Sequence, residues 1–289
     1  MSDEQRLPPL PLQTLLSNHN LKPDQRLGQN FLVDEGALAK VSAASQAGPD
    51  DQVLEIGAGV GSLTRYLARR AGRVVAVEID ERFLPLLGEV LAPFSNVKVV
   101  QGDILQLDPA ELMDGQPYLV AANIPYYITS AVIRHLLEPW VRPLRMVLTV
   151  QHEVAQRICA SPGKLSLLAL SVQVYGEPRI MARIPAGAFY PVPKVDSAVV
   201  QVNLAPEPQI PEAQLDLFFR LAKAGFSQKR KTLRNALAAG LAWEPGRAAE
   251  LLESANLDPR RRAETLAIPE WGNLVQSYLG LTGAAPEVV

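Results

Sequence analysis

Hydrophobic positions along the chain fall into short apolar runs that alternate with segments of helical period. A short helical pattern at Leu12 to Asn18 precedes a helix at Gly36 to Gln46. The runs Val53 to Ile56, Arg73 to Ile79, Val97 to Gln101, Tyr118 to Ala122 and Arg145 to Gln151 then read as buried strands. Helical patterns at Leu63 to Ala71, Glu81 to Leu91 and Thr129 to Glu138 separate them. Strands alternating with helices predict a parallel sheet covered on both faces. A helix through Val154 to Cys159, an apolar run Leu165 to Tyr175 and the alternating segment Ser197 to Leu204 suit an added antiparallel part of that sheet.

Pro206, Pro208 and Pro211 mark a linker. Beyond it every segment is helical in period: Ala213 to Ala224, Lys231 to Ala239, Pro245 to Ala255 and Pro269 to Leu279. The expected organisation is an N-terminal extension over 1–22, an α/β domain over 23–205, a small all-helical domain over 206–282 and a disordered tail over 283–289.

Ligand-type residues stand where four successive strands end. Val53-Leu-Glu-Ile-Gly57-Ala-Gly59 runs from a strand into a glycine turn and then a helix, which lets backbone N–H groups approach a ligand closely. The next strand ends in Glu78, a carboxylate able to accept from both hydroxyls of a ribose, and the third ends in Gly102-Asp103. The fourth ends in Asn123-Ile-Pro-Tyr126. In an open α/β sheet ligands bind outside the carboxyl ends of the strands, so these residues converge there. A nicotinamide site is the weaker reading, because the third glycine, Gly61, comes one residue early and Ser62 stands where Gly or Ala is expected. Glu55 beside the cofactor suits a cationic ammonium and repels a pyrophosphate.

Asn123 to Tyr126 points to chemistry on an exocyclic amine. The lone pair of an aromatic amine is delocalised into its ring. A side-chain carbonyl at Asn123 and a backbone carbonyl near Ile124 or Pro125 can accept its two hydrogens and favour a more nucleophilic nitrogen. Tyr126 can stack on a base taken out of its helix.

Together with Arg26-Leu-Gly-Gln-Asn-Phe-Leu32, Phe189-Tyr-Pro-Val-Pro-Lys-Val-Asp-Ser197 and Lys229-Arg-Lys-Thr-Leu233, these motifs cover about residues 22 to 272. Over that span the chain resembles the ribosomal RNA adenine N6-dimethyltransferases, most closely the bacterial small-subunit type. The resemblance implies a Rossmann-like class I methyltransferase sheet with a helical C-terminal domain, and S-adenosylmethionine as cofactor. It implies that Asn30 and Leu32 line the cofactor pocket, that Gly57 and Gly59 pass the methionine part, that Glu78 binds the ribose and Asp103 the adenine amine. Asn123 would then face both the methyl group and the target amine, and Phe189 would close over the target base opposite Tyr126. The implied target is a pair of adjacent adenosines in a hairpin loop near the 3′ end of small-subunit RNA, in an assembling particle. The chain departs from the family at Tyr127, where a small polar residue is usual, and at Leu165-Ser-Leu-Leu-Ala169. Within this class the alternative is the large-subunit RNA methyltransferase of macrolide resistance; outside it, an assembly factor with a vestigial site.

Charge changes this picture little. The net charge is −2, yet Lys229-Arg230-Lys231 with Arg234, and Arg260-Arg261-Arg262, form two compact basic runs suited to phosphate contact. One cysteine, Cys159, excludes an intramolecular disulfide framework and fits a reducing compartment. His19, His135 and His152 have no partner at metal-ligand spacing, so no metal is expected. The polar start and the lack of a long apolar run predict a cytoplasmic protein with no membrane anchor, and a monomer is the default.

Overall fold

The computed structural model describes residues 7–125, 128–137 and 141–283. Contacts divide the chain into two units, residues 1–155 with 178–204, and residues 156–177 with 205–289.

In the first unit, α1 (Leu12–Asn18), β1 (Phe31–Leu32) and α2 (Glu35–Ser45) precede the sheet strands β2 (Gln52–Ile56), β3 (Arg73–Glu78), β4 (Val97–Gln101) and β5 (Leu119–Asn123). Helices α3 (Ser62–Ala68) and α4 (Leu84–Leu91), the single turn α5 (Pro109–Leu112) and α6 (Thr129–Leu137) connect them and lead to β6 (Arg145–Gln151). Helix α7 (His152–Ile158) leads out of this unit to α8 (Leu167–Gln173) of the second, and β7 (Gly176–Ile184), β8 (Phe189–Tyr190) and β9 (Ser197–Leu204) return to the first. The sheet order is β4-β3-β2-β5-β6-β9-β7. The first five strands pair in parallel and β9 runs antiparallel to β6.

The inner parallel strands β2, β3, β5 and β6 form because both of their faces are covered, so Val, Leu, Ile and Ala can occupy most positions. Val53, Leu54, Val74, Val75, Val120 and Ala121 are all fully buried. The register aligns the carboxyl ends: Ile56 pairs with Val77 and Ala122, Glu78 with Gln101, and Asn123 with Thr149. One face packs on α2 and α3 through Leu38, Val41, Tyr66 and Leu67. Asp34 caps the start of α2, its Oδ1 accepting from Ala37 N at 2.7 Å.

The N-terminal segment is part of the core of this unit. Leu12, Leu15, Leu16 and Leu21 pack with Phe31, Ala58, Val60, Phe83, Leu86 and Leu87. Leu7 N donates to the Tyr66 hydroxyl, and Arg65 Nη2 reaches Pro8 O at 2.9 Å.

The second unit gathers α9 (Leu215–Phe226), α10 (Leu233–Leu241), α11 (Pro245–Ser254) and α12 (Ile268–Thr282) around Phe218, Leu237, Leu251 and a fully buried Trp271. Residues 156–177, expected within the α/β domain, belong here instead. Ser166 caps α8, its Oγ accepting from Ala169 N at 3.2 Å, so the apolar run Leu165 to Tyr175 is helix and not strand. Gly163 N and Leu165 N both donate to Glu264 O, and Ala205 N donates to Tyr175 O, which stitches the stretch to the helices beyond 205. Beyond β6 the sheet is extended by β9, antiparallel to β6, and then by β7. Strand β7 reads polar because it is an exposed edge, and Pro178 is tolerated there. The expected disordered tail lies, from residue 284, outside the described residues; Gly283 caps α12 in the left-handed conformation.

Candidate functional site

The carboxyl ends of β2 to β5 and the segment before β1 enclose one cavity. It is lined by Gln29, Asn30 and Phe31 on one wall, Gly57, Gly59, Glu78 and Ile79 at the base, and Asp103, Ile104, Asn123 and Ile124 on the far side. A smaller cavity adjoins it, sharing Phe31, Gly57, Gly59 and Asn123, and is walled by Glu55, Leu32 and Ser62.

Gly59 makes the close approach possible. Its φ is +58°, and a Cβ there would stand 2.9 Å from the Phe31 ring, so neither the backbone conformation nor the space admits a side chain. Its N–H donates to Glu78 Oε2 at 2.7 Å, while Asp80 N donates to Oε1 at 3.0 Å. Glu78 is 5% exposed. Burial pushes its carboxyl above the usual range, and the N–H groups of Asp80 and Gly59 partly counter this.

Glu55 is 1% exposed and is pushed up to about 8, first by burial, with Thr64 countering in part and the Glu78 charge adding to the rise. Thr64 is near enough to act electrostatically, yet its Oγ1 and Glu55 Oε2 close no hydrogen bond among the described residues. A buried carboxylate oxygen without a donor is costly unless something else supplies one.

Asn123, at the end of β5, is tied from one side: its Nδ2 donates to Asn30 O at 3.0 Å. A backbone carbonyl can bond only to the amide nitrogen, so the amide is oriented, and Oδ1 has no partner among the described residues. Asn30 Nδ2 in turn donates to Gly28 O. Asp103 lines the cavity and accepts from Leu105 N at 3.0 Å, the local bond of an aspartate turn.

Leu32 lines the smaller cavity, which adjoins the main one, beside Glu55. Phe189, expected over the target base, is 2% exposed and packs with Leu32, Leu38, Ile184 and Val199 in the core. The cause is register: β1 and β8 pair antiparallel with Leu32 opposite Phe189 and Phe31 opposite Tyr190. Side chains alternate across a strand. Phe189 therefore shares the inner side with Leu32, and the exposed ring of that turn is Tyr190, at 38%. Tyr126 and Tyr127 lie outside the described residues. Phe31, Gln29, Ile79 and Ile104 are wall residues that motif reasoning passed over. For Phe31 the signal was its place between Asn30 and Leu32.

In the helical unit Lys229, Arg230, Lys231 and Arg234 are exposed and make no ion pair among the described residues. Backbone bonds from Leu233 N to Arg261 O and from Arg234 N to Pro259 O bring the two basic runs side by side. The second run is largely neutralised: Arg260 pairs with Asp258, Arg262 lies 3.9 Å from Glu264, and Arg261 turns onto Glu270. The second run thus presents less unpaired positive charge than the first. Among the described residues no three or more His, Cys, Asp or Glu side chains gather as a metal site, and no helix is long and apolar enough to cross a membrane.

A parallel sheet whose first strand runs into a glycine turn, with an acidic residue at the end of the second and an amide at the end of the fourth, defines a class I S-adenosylmethionine-dependent methyltransferase. The sequence pattern of the ribosomal RNA adenine dimethylases matches residues 20–278, and the chain belongs to that family. It is similar to ribosomal RNA small subunit methyltransferase A of Dehalococcoides mccartyi strain CBDB1, with 45% identity over 269 residues and 92% of each chain covered. The protein of the same name from Pelotomaculum thermopropionicum is 42% identical, covering 95% of this chain and 98% of that one. Among solved structures, 23S rRNA methyltransferase ErmE is 29% identical with a TM-score of 0.70, covering 86% of this chain and 99% of that one. The chain is thus an enzyme that methylates adenine in ribosomal RNA with S-adenosylmethionine as donor.

Proposed function

We propose that the chain dimethylates N6 of two adjacent adenosines in a hairpin loop near the 3′ end of small-subunit ribosomal RNA, acting as a cytoplasmic monomer on an assembling particle. The small-subunit target is supported by relatives of that name at 42–45% identity over nearly the whole chain, against 29% for the large-subunit enzyme.

The observation that carries the chemistry is the tethered amide of Asn123, with Oδ1 unpartnered among the described residues at the rim of the main cavity. That cavity and the smaller one adjoining it fit S-adenosylmethionine: Glu55 Oε2, beside the smaller one, lacks a donor among the described residues, Glu78 is fixed by two N–H groups, and Gly59 leaves no room for a side chain. Glu55 would take the ammonium, Gly57 and Gly59 would lie along the methionine part, Glu78 would bind the ribose hydroxyls, and Asp103 with Ile79 and Ile104 would hold the adenine. When bound, the cofactor supplies an electrophilic sulfonium methyl, whose bond to sulfur breaks as the bond to N6 forms.

Asn123 Oδ1 and a backbone carbonyl at Ile124 or Pro125 accept the N6 hydrogens, localise the lone pair and hold nitrogen in line with the methyl group. No strong base is needed, because the proton leaves only after the nitrogen has become cationic. Tyr126 would stack on the base. Lys229, Arg230, Lys231 and Arg234 would neutralise phosphates. The test is transfer of labelled methyl to unmodified small-subunit particles and to unmodified large-subunit RNA. Dimethyladenosine on the small subunit alone is expected; label on large-subunit RNA overturns the proposed target.

A further inference from the structure

The residues before β1 cross the cofactor cavity and are tied down on both sides of it. Leu27 to Phe31 form one wall, and two consecutive residues of that wall bond in opposite directions. Gln29 Nε2 donates to Asp80 Oδ2 at 2.9 Å, just past the end of β3, while Asn30 O accepts from Asn123 Nδ2 at 3.0 Å, at the end of β5.

The first tie is built into a chain of contacts. Gln29 Oε1 accepts from Asp24 N at 2.7 Å, which closes the segment on itself. Asp80 is held as an ionised acceptor by Arg82, 2.6 Å away, and its own N–H donates to Glu78. The Arg82 guanidinium keeps the Asp80 carboxyl below the usual range, so it stays charged at neutral pH. The same strap therefore connects the carboxylate assigned to the ribose with the amide assigned to the target amine.

We infer that Gln29 is a positioning residue: its bond to Asp80 closes the strap over the cofactor, and the closed strap, through the Asn30 carbonyl, turns Asn123 Oδ1 toward the target nitrogen. Release of the spent cofactor between the two methylations requires the Gln29–Asp80 bond to open. The inference rests on the proposed role of Asn123 and adds cofactor exchange to it.

The test uses Gln29→Glu, which keeps the length and the acceptor for Asp24 N but sets a second carboxylate against Asp80. Combined with Asp80→Asn it exchanges donor and acceptor and restores the bond. Two rates are read on the full-length protein: dissociation of S-adenosylhomocysteine, without RNA, and a single turnover at saturating cofactor and RNA. A charged hydrogen bond replaced by repulsion changes such rates by about 10-fold or more. Gln29→Glu is expected to speed dissociation and slow the turnover by that factor, with both recovering in the double variant. Unchanged rates, faster dissociation without slower transfer, or no recovery in the double variant would each overturn the inference. If Asn123→Ala leaves transfer intact, the role of Asn123 fails, and the dissociation rate still reports on the strap.

Discussion

The cavity at the sheet edge and the basic loop of the helical unit hold their charges in opposite ways. At the sheet edge Glu55 and Glu78 are buried and pushed above the ordinary carboxylate range, and Glu78 is fixed by the N–H groups of Gly59 and Asp80. In the helical unit Lys229, Arg230, Lys231 and Arg234 lie in solvent and engage no carboxylate among the described residues. A buried charge is expensive and keeps one geometry, so each residue at the edge should matter singly. An exposed cation interacts through a screened field, so those residues should matter by their sum.

The largest effect expected at the edge is from Asn123→Ala. Removing one pre-positioned electrostatic partner of a transition state costs about 10²- to 10³-fold, and a single-turnover assay should show that loss with cofactor affinity little changed. Glu78→Ala removes a carboxylate assigned to the ribose, and calorimetry should find cofactor affinity weaker by about 10- to 100-fold. Gly59→Ala forces a side chain into left-handed backbone against Phe31, at a cost of about 1–2 kcal/mol, visible as a lower unfolding midpoint.

Glu55 supplies a pH test. Its folded-state value of about 8 lies above its ordinary 4.5, so the unfolded chain releases this proton first. Its contribution to stability is full below about 4.5 and is lost as pH rises through about 8. Glu55→Gln should flatten that part of the stability profile of the cofactor-free protein. A cationic ammonium needs the ionised carboxylate, so binding at pH 7 should release close to one proton in the wild type and none from this site in Glu55→Gln. Calorimetry in buffers of different ionisation enthalpy reads this. The smallest effect belongs to the helical unit: Arg230→Ala alone should weaken RNA binding only a few-fold, and the slope of log affinity against log salt should fall by about 0.7–0.9 for each phosphate that is no longer neutralised.

The same contrast explains what was legible in the sequence. The glycine turn, Glu78, Asp103 and Asn123 stand at strand ends marked by local punctuation, and the parallel register brings them together. Phe189 was misplaced because its side depends on pairing with a two-residue strand more than 150 positions away, which no local pattern records. The run Leu165 to Tyr175 is apolar enough to be strand or helix; the cap at Ser166 was the overlooked cue. Arg261 could not be distinguished from its neighbours by charge alone, since Glu270 turns it inward only in the folded unit.

The division of labour between the two regions is tested most directly by single-turnover rates measured across RNA concentration, for Asn123→Ala and for a variant with Lys229, Arg230, Lys231 and Arg234 all changed to Ala. The account predicts that the first lowers the maximal rate and leaves the half-saturating RNA concentration nearly unchanged, whereas the second raises that concentration and leaves the maximal rate intact. A maximal rate preserved in Asn123→Ala, or lost with the four cations, would contradict it.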